Sequence, residues 1–208
     1  MIFSWAFAFF PAADLIYYTT MDEIAIVDYR AGNLTSVRLA FEALGLKPIV
    51  TSDAGVIRQA SRVVFPGVGA AKSAMDSIAS LDLAEVLKES AQMKPFLGIC
   101  LGMQILFEHS EEDGGVDMLG ILPGKVQRFP SVPGVKIPQI GWNDSCGEYY
   151  YFVHSYYADI CPYTTGITEY AGVKFTSMVK KGRLWATQFH PEKSGKAGMK
   201  LLEEWLSC

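Results

Sequence analysis

Residues Pro95-Phe-Leu-Gly-Ile-Cys-Leu-Gly-Met-Gln-Ile-Leu-Phe107 read as a buried strand running directly into a helix, with Cys100 at the joint and glycines at 98 and 102. This is the cysteine version of an elbow in which the central side chain sits on a sharp strand-to-helix turn at the carboxyl edge of a sheet. The turn brings neighbouring backbone close, so the flanking residues must be small. Backbone N-H groups at the start of the following helix point outward, and the positive end of its dipole favours a thiolate. Cys100 therefore reads either as a nucleophile or as a small buried cysteine filling space between glycines.

Strands and helices alternate outward from this elbow. Ile24 to Val27 is a short apolar run, and Asn33 can cap a helix carrying Val37, Ala40, Phe41 and Leu44 at helical spacing, closed by Gly45. Pro48 to Val50 predicts the next strand, Ala54 to Ala60 a short helix, and Arg62 to Phe65 a third strand ending at Pro66-Gly-Val-Gly69. Ala71 to Met93 reads as helical with a break near Ser80, and Pro95 to Cys100 is the fourth strand. Runs apolar on both faces, separated by helices, indicate a parallel sheet covered on both sides.

The second half changes character. Lys125 to Arg128, Gln139 to Trp142, Tyr149 to His154, Lys174 to Val179 and Leu184 to Phe189 are strand candidates separated by Gly- or Pro-bearing turns, without helical patterns between them. Ser194 is placed to cap a last helix with Ala197, Leu201 and Trp205 on one side. The expected fold is α/β: a doubly wound, mostly parallel sheet with mixed or antiparallel strands added in the C-terminal half.

A chain of 208 residues, 50% hydrophobic, is long enough to bury one core. A net charge of -4, without a basic block, points away from nucleic acid and from anionic membrane as partners and toward a small molecule or a protein. Cysteines at 100, 146, 161 and 208 show neither metal-ligand spacing nor a disulfide framework, so reduced thiols and a cytoplasmic location are expected, with no metal. Residues 1–20 are strongly apolar but open without Lys or Arg and are interrupted by Pro11 and Asp14, which fits neither a membrane span nor a secretory signal. They read as an extension of unknown role before a domain spanning 21–208.

A thiolate that attacks an acyl carbon needs a base. Of the three histidines, His190 follows an apolar strand and precedes Pro191-Glu192. Proline pushes the residue before it into extended geometry, so His190 and Glu192 should project to the same side, the carboxylate fixing the tautomer of the imidazole. His109, among Glu108, Glu111 and Glu112, reads as a solvated residue where the elbow helix ends, and His154 as structural or pocket-lining. An oxyanion needs donors. Leu101 N-H is one, and the loop Pro66-Gly-Val-Gly69 either supplies another or is an ordinary turn.

Together GICLGMQ, PGVG, YFVHSYY and TQFHPEKS resemble the class I glutamine amidotransferases. Within them, IVDYRAGNLTSV and PQIGWN are most similar to the glutaminase subunits of imidazole glycerol phosphate synthase, over residues 21–208. The resemblance implies hydrolysis of L-glutamine to glutamate and ammonia through a thioester on Cys100, with His190 as general acid and base and Glu192 orienting it. It implies no cofactor. It places Gly67, Val68 and Leu101 at the oxyanion hole and Gln104, Glu112, Ser155 and Tyr156 around the glutamine. By the same resemblance ammonia passes to a (β/α)8 cyclase subunit of a heterodimer that makes imidazole glycerol phosphate and a purine precursor. Arg30, Asn33, Trp142, Asn143 and Lys193 fall where that partner docks, although a tryptophan ending a strand is also an ordinary core residue.

Two features depart from the pattern: residues 1–20, and the short stretch Asp144 to Tyr151 where the family carries a longer one, which puts the docking surface in question. The remaining alternatives are a glutaminase domain serving a different acceptor enzyme and a non-catalytic partner-binding α/β domain.

Overall fold

The computed structural model describes residues 23–30 and 33–208. The expectations for residues 1–20, and the Ala31-Gly32 part of the IVDYRAGNLTSV stretch, lie outside the described residues. In chain order the elements are β1 (Ile24–Val27), α1 (Leu34–Ala43), β2 (Ile49–Thr51), α2 (Ala54–Gln59), β3 (Arg62–Gly67), α3 (Ala71–Ser80), α4 (Ala84–Met93), β4 (Phe96–Cys100) and α5 (Leu101–Gln104). They are followed by β5 (His109–Ser110), β6 (Val116–Asp117), β7 (Lys125–Arg128), β8 (Gln139–Ser145), β9 (Glu148–His154) and β10 (Tyr156–Ala158). The chain finishes with β11 (Thr164–Tyr170), β12 (Val173–Lys181), β13 (Leu184–Thr187) and α6 (Gly195–Leu206).

The main sheet runs β2-β1-β3-β4-β13-β12-β10-β7-β5-β6, with β11 paired to β12. Its first five strands are parallel neighbours; β12, β10, β7, β11 and β6 join antiparallel, and β5 joins β7 in parallel. Alternation along β1 explains the layers. Ala25 and Val27 pack on one side with Ile57 of α2, Ala74 and Ile78 of α3 and Leu87 of α4. Ile24 and Ile26 pack on the other with Phe41 of α1 and Trp205 of α6, whose rings meet edge-on at 5.8 Å. The sheet is doubly wound, with antiparallel strands added in the C-terminal half, as the sequence pattern indicates.

Several local expectations are corrected. Neither Asn33 nor Ser194 caps a helix with its side chain. The helix after the elbow ends at Gln104, so His109 lies on β5 with its ring nitrogen 2.9 Å from Asp117. Among the described residues the strands β8 and β9 pair only with each other, as a separate hairpin laid over the aromatic core residues Phe129, Phe175 and Phe189. Trp142 sits inside β8 rather than at its end; it is exposed, as a docking residue and not a core residue would be. The short stretch 144–151 closes this hairpin through Cys146 and Gly147, both at positive φ, as tight hairpin turns require.

Candidate active site

Register fixes where the chemistry can be. In the β3–β4 ladder Gly67 stands opposite Cys100, and in the β13–β4 ladder Thr187 stands opposite Ile99. Strands β3, β4 and β13 are parallel, so the PGVG loop, the elbow and the segment leading to His190 leave the sheet at one edge, where open α/β sheets bind ligands.

Cys100 adopts φ 56, ψ -113, a backbone conformation that a non-glycine residue holds only when its surroundings impose it. What imposes it is close packing of the elbow against β3. A Cβ on Gly102 would lie 1.8 Å from the carbonyl oxygen of Phe65, and one on Gly67 would lie 2.0 Å from the Tyr29 hydroxyl. The thiol is buried, 3.9 Å from the carbonyl oxygen of Val153 on β9.

His190 is extended, as the following proline requires, but Pro191–Lys193 forms a 3-10 turn rather than continuing in extended form. The turn folds Glu192 back so that its Oε1 lies 2.8 Å from His190 Nδ1, with both side chains almost wholly buried. Asn33 donates from Nδ2 to the same Oε1 at 2.7 Å. On the other side of the ring, Nε2 makes no hydrogen bond of good geometry among the described residues, yet the Cys100 thiol is close enough to act on the imidazole. Burial opposes charge on this ring. Interactions with Cys100 and Glu192 outweigh it and raise the His190 pKa to about 10.

A cavity of about 280 Å³ opens beside the thiol, lined among others by Val68, Leu101, Gln104, Glu112, Ser155 and Tyr156. Apart from Gly67, which adjoins it in the chain, every residue expected at the oxyanion hole and the glutamine pocket therefore meets at one cavity. Glu112 accepts from the Ala71 N-H at 2.6 Å, and burial above all raises its pKa. His154 also lines the cavity. Its ring is bonded to the Tyr156 carbonyl oxygen at 2.7 Å and to Gln139 at 3.1 Å, and burial pulls its pKa down to about 4, so it is neutral.

Of the residues expected at a partner interface, Asn33 contacts Glu192, whereas Arg30, Trp142 and Lys193 are exposed and Asn143 donates to the Glu169 carbonyl oxygen at 3.0 Å. Two residues at the site were missed from sequence. Gln188, fully buried, places Nε2 3.8 Å from the Cys100 sulfur; its signal was a polar residue inside an apolar strand run. Tyr29 is buried against Gly67 with its hydroxyl unpaired among the described residues, and nothing in the local pattern marked it.

Solved structures of the same fold include a glutamine amidotransferase (TM-score 0.67, 16% identity, covering 88% of this chain and 97% of that one). Another is a glutamine amidotransferase from Thermotoga maritima (TM-score 0.57, 18% identity, covering 89% and 82%). Among curated relatives, imidazole glycerol phosphate synthase subunit HisH of Exiguobacterium sibiricum is 49% identical, covering 88% of this chain and 93% of its own. The protein of the same name from Aromatoleum aromaticum is 45% identical, covering 90% and 99%. The family model for glutamine amidotransferase class-I matches residues 25–207. The chain belongs to the class-I glutamine amidotransferases.

Proposed function

We propose that this protein is the glutaminase subunit of an imidazole glycerol phosphate synthase, hydrolysing L-glutamine and delivering ammonia to a (β/α)8 cyclase subunit in a heterodimer. The observation that carries the chemistry is the chain of contacts from Glu192 through His190 to Cys100, which lines a cavity sized for a free amino acid. The identity to HisH subunits over nearly the whole chain supports the choice of acceptor.

In this reading the Cys100 sulfur, paired with a protonated His190, attacks the side-chain carboxamide carbon of glutamine. The carbonyl oxygen takes the electron pair and is held by N-H groups of Leu101 and of the Gly67–Val68 loop. As the tetrahedral intermediate collapses, His190 gives its proton to the departing nitrogen and ammonia leaves, with a thioester remaining on Cys100. His190, now neutral, takes a proton from a water that attacks the thioester, and glutamate leaves with the sulfur regenerated. Glu192 keeps Nδ1 protonated so that Nε2 is the nitrogen that works. Glu112 meets the ammonium of the substrate, while Gln104, Ser155 and Tyr156 shape its seat.

The outer face of the β8–β9 hairpin supports a protein partner. Ile140, Trp142 and Tyr149 are 64%, 57% and 64% exposed there, joined by half-buried Tyr151 and Val153 through the pairings 140–153 and 142–151. An apolar stripe of this kind is a docking surface, and Val153 also lines the cavity, so a cyclase seated on it would adjoin the site that releases ammonia. Arg30 and Lys193 are exposed and add charge to the proposed interface, whereas Asn33 and Asn143 spend their side-chain amides on Glu192 and on the Glu169 carbonyl oxygen. Four free cysteines suit a reducing cytoplasm. Among the described residues no helix is long and apolar enough to cross a membrane.

The test is glutamine hydrolysis by the purified chain with and without a matching cyclase and its nucleotide substrate. Strong stimulation by the cyclase, with transfer of the amide nitrogen into the imidazole product, is expected. Full activity alone and no response to the cyclase would point to a different acceptor.

A further inference from the structure

We propose that Gln188 is a positioning residue for the nucleophile: its carboxamide donates to the Cys100 sulfur and couples that contact to Gln104 on the wall of the cavity. The inference rests on the reading of Cys100 as the attacking group.

The orientation of the amides follows from one backbone carbonyl. Gln104 places a side-chain amide atom 2.8 Å from the carbonyl oxygen of Tyr156, which can only accept, so that atom is the nitrogen Nε2. The same nitrogen lies 2.9 Å from the side chain of Gln188. Gln188 must therefore present its oxygen to Gln104, and its own nitrogen is turned toward Cys100, 3.8 Å from the sulfur. The direction of donation is thus fixed along Tyr156, Gln104, Gln188 and Cys100.

The surroundings hold this arrangement in place. Gln188 is wholly buried between Thr187 and Phe189, both also wholly buried, and its backbone N-H donates to the Ser177 carbonyl oxygen at 2.9 Å. A carboxamide in such a place is tolerated only with its polar atoms partnered, and an apolar side chain of similar size needs no partners at all. The amide is consequently present for what it contacts. An N-H aimed at sulfur stabilises the anionic form and orients it, and it loses its acceptor when the sulfur becomes a thioester. Gln104 has both N-H groups committed in this chain, which leaves Oε1 as its free acceptor in a residue lining the cavity. Seating of an ammonium-bearing substrate there would be felt at the sulfur through two hydrogen bonds.

The test uses the full chain with its partner, comparing wild type, Gln188→Leu, Gln188→Glu and Cys100→Ala. Two quantities are read: the pH profile of iodoacetamide alkylation at Cys100, located by mass spectrometry, and the kcat and KM for glutamine. Losing the donor in Gln188→Leu should move the acid limb of alkylation up by roughly one pH unit and lower kcat about tenfold. Gln188→Glu, which keeps an acceptor for Gln104 but faces the sulfur with oxygen, should move it further. A folded Gln188→Leu with the wild-type profile overturns the inference; should that variant not fold, an unchanged profile in Gln188→Glu does so. Glutamine hydrolysis by Cys100→Ala would instead overturn the nucleophile reading on which the inference stands.

Discussion

Asn33 spends its side-chain amide on Glu192 and not on the helix it precedes: Nδ2 donates to Oε1 at 2.7 Å, the same oxygen that lies 2.8 Å from His190 Nδ1. Asn33 itself is held at φ 73, directly before α1. The residue read from sequence as a helix cap and a docking residue thus fixes the carboxylate that orients the imidazole. Asn33→Ala should lower kcat for glutamine about tenfold, the usual size for a lost hydrogen bond to a charged group, with KM little changed. Asn33→Asp, setting a second carboxylate against Glu192, should be slower still. Wild-type kcat in both variants would show that Glu192 is held without it.

Raising of the His190 pKa to about 10 sets a sign for pH dependence. The imidazolium survives through neutral pH, and the activity that needs it as an acid should fall as pH rises through about 10. Glu192→Gln removes one of the groups that raise the value, so the alkaline limb should move to lower pH, together with slower turnover. The stability that the charged ring contributes is fully present below its ordinary value of 6.5 and is lost as pH rises toward 10. A limb that stays in place in Glu192→Gln would contradict the coupling.

His154 carries the opposite sign. It is held neutral among Phe129, Phe152 and Phe175, with Gln139, the Tyr156 carbonyl and His190 as its polar and charged neighbours. With its pKa lowered from 6.5 to about 4, the unfolded chain takes up the proton first as pH falls through that window. Stability should drop by about 3 kcal/mol between those limits from this residue alone. Urea denaturation at pH 7 and pH 5 should show a smaller loss in His154→Asn than in wild type; equal losses would place the titration elsewhere.

Tyr29 buries its hydroxyl against the Cα of Gly67, without a partner among the described residues. Burial and the nearby Cys100 push its pKa far up, so it stays a neutral phenol. Tyr29→Phe removes an unsatisfied polar group and should stabilise the fold by about 1 kcal/mol in chemical denaturation. A loss of similar size would mean that the hydroxyl has a bond to lose.

The parallel half of the fold was legible because apolar runs such as Ile24 to Val27 alternate with helical spacing, and a fully buried strand has no other signature. The strand β11 escaped notice. Its hairpin to β12 turns on Ala171 and Gly172, both at positive φ, where the usual Asn-Gly or Asp-Gly signal is missing, and Gly166 interrupts its pattern at a register shift. The β8–β9 turn at Cys146-Gly147 hid in the same way. Cys100 could be picked out from the elbow and His190 from the Pro-Glu that follows it, but Glu192 reaches the ring through a 3-10 turn and not through the extended chain that proline geometry suggested. The parts of Gln188, Asn33 and Tyr29 could not be picked out, since they depend on which atoms the finished fold brings within hydrogen-bond reach.

The central claim is that a thioester on Cys100 releases ammonia from glutamine for use by a partner. Its most direct measurement is Cys100→Ala in the complex, assayed once with glutamine and once with an ammonium salt as nitrogen source. The account predicts no glutamine hydrolysis and wild-type ammonia-dependent synthesis; hydrolysis of glutamine at the wild-type rate by that variant would contradict it.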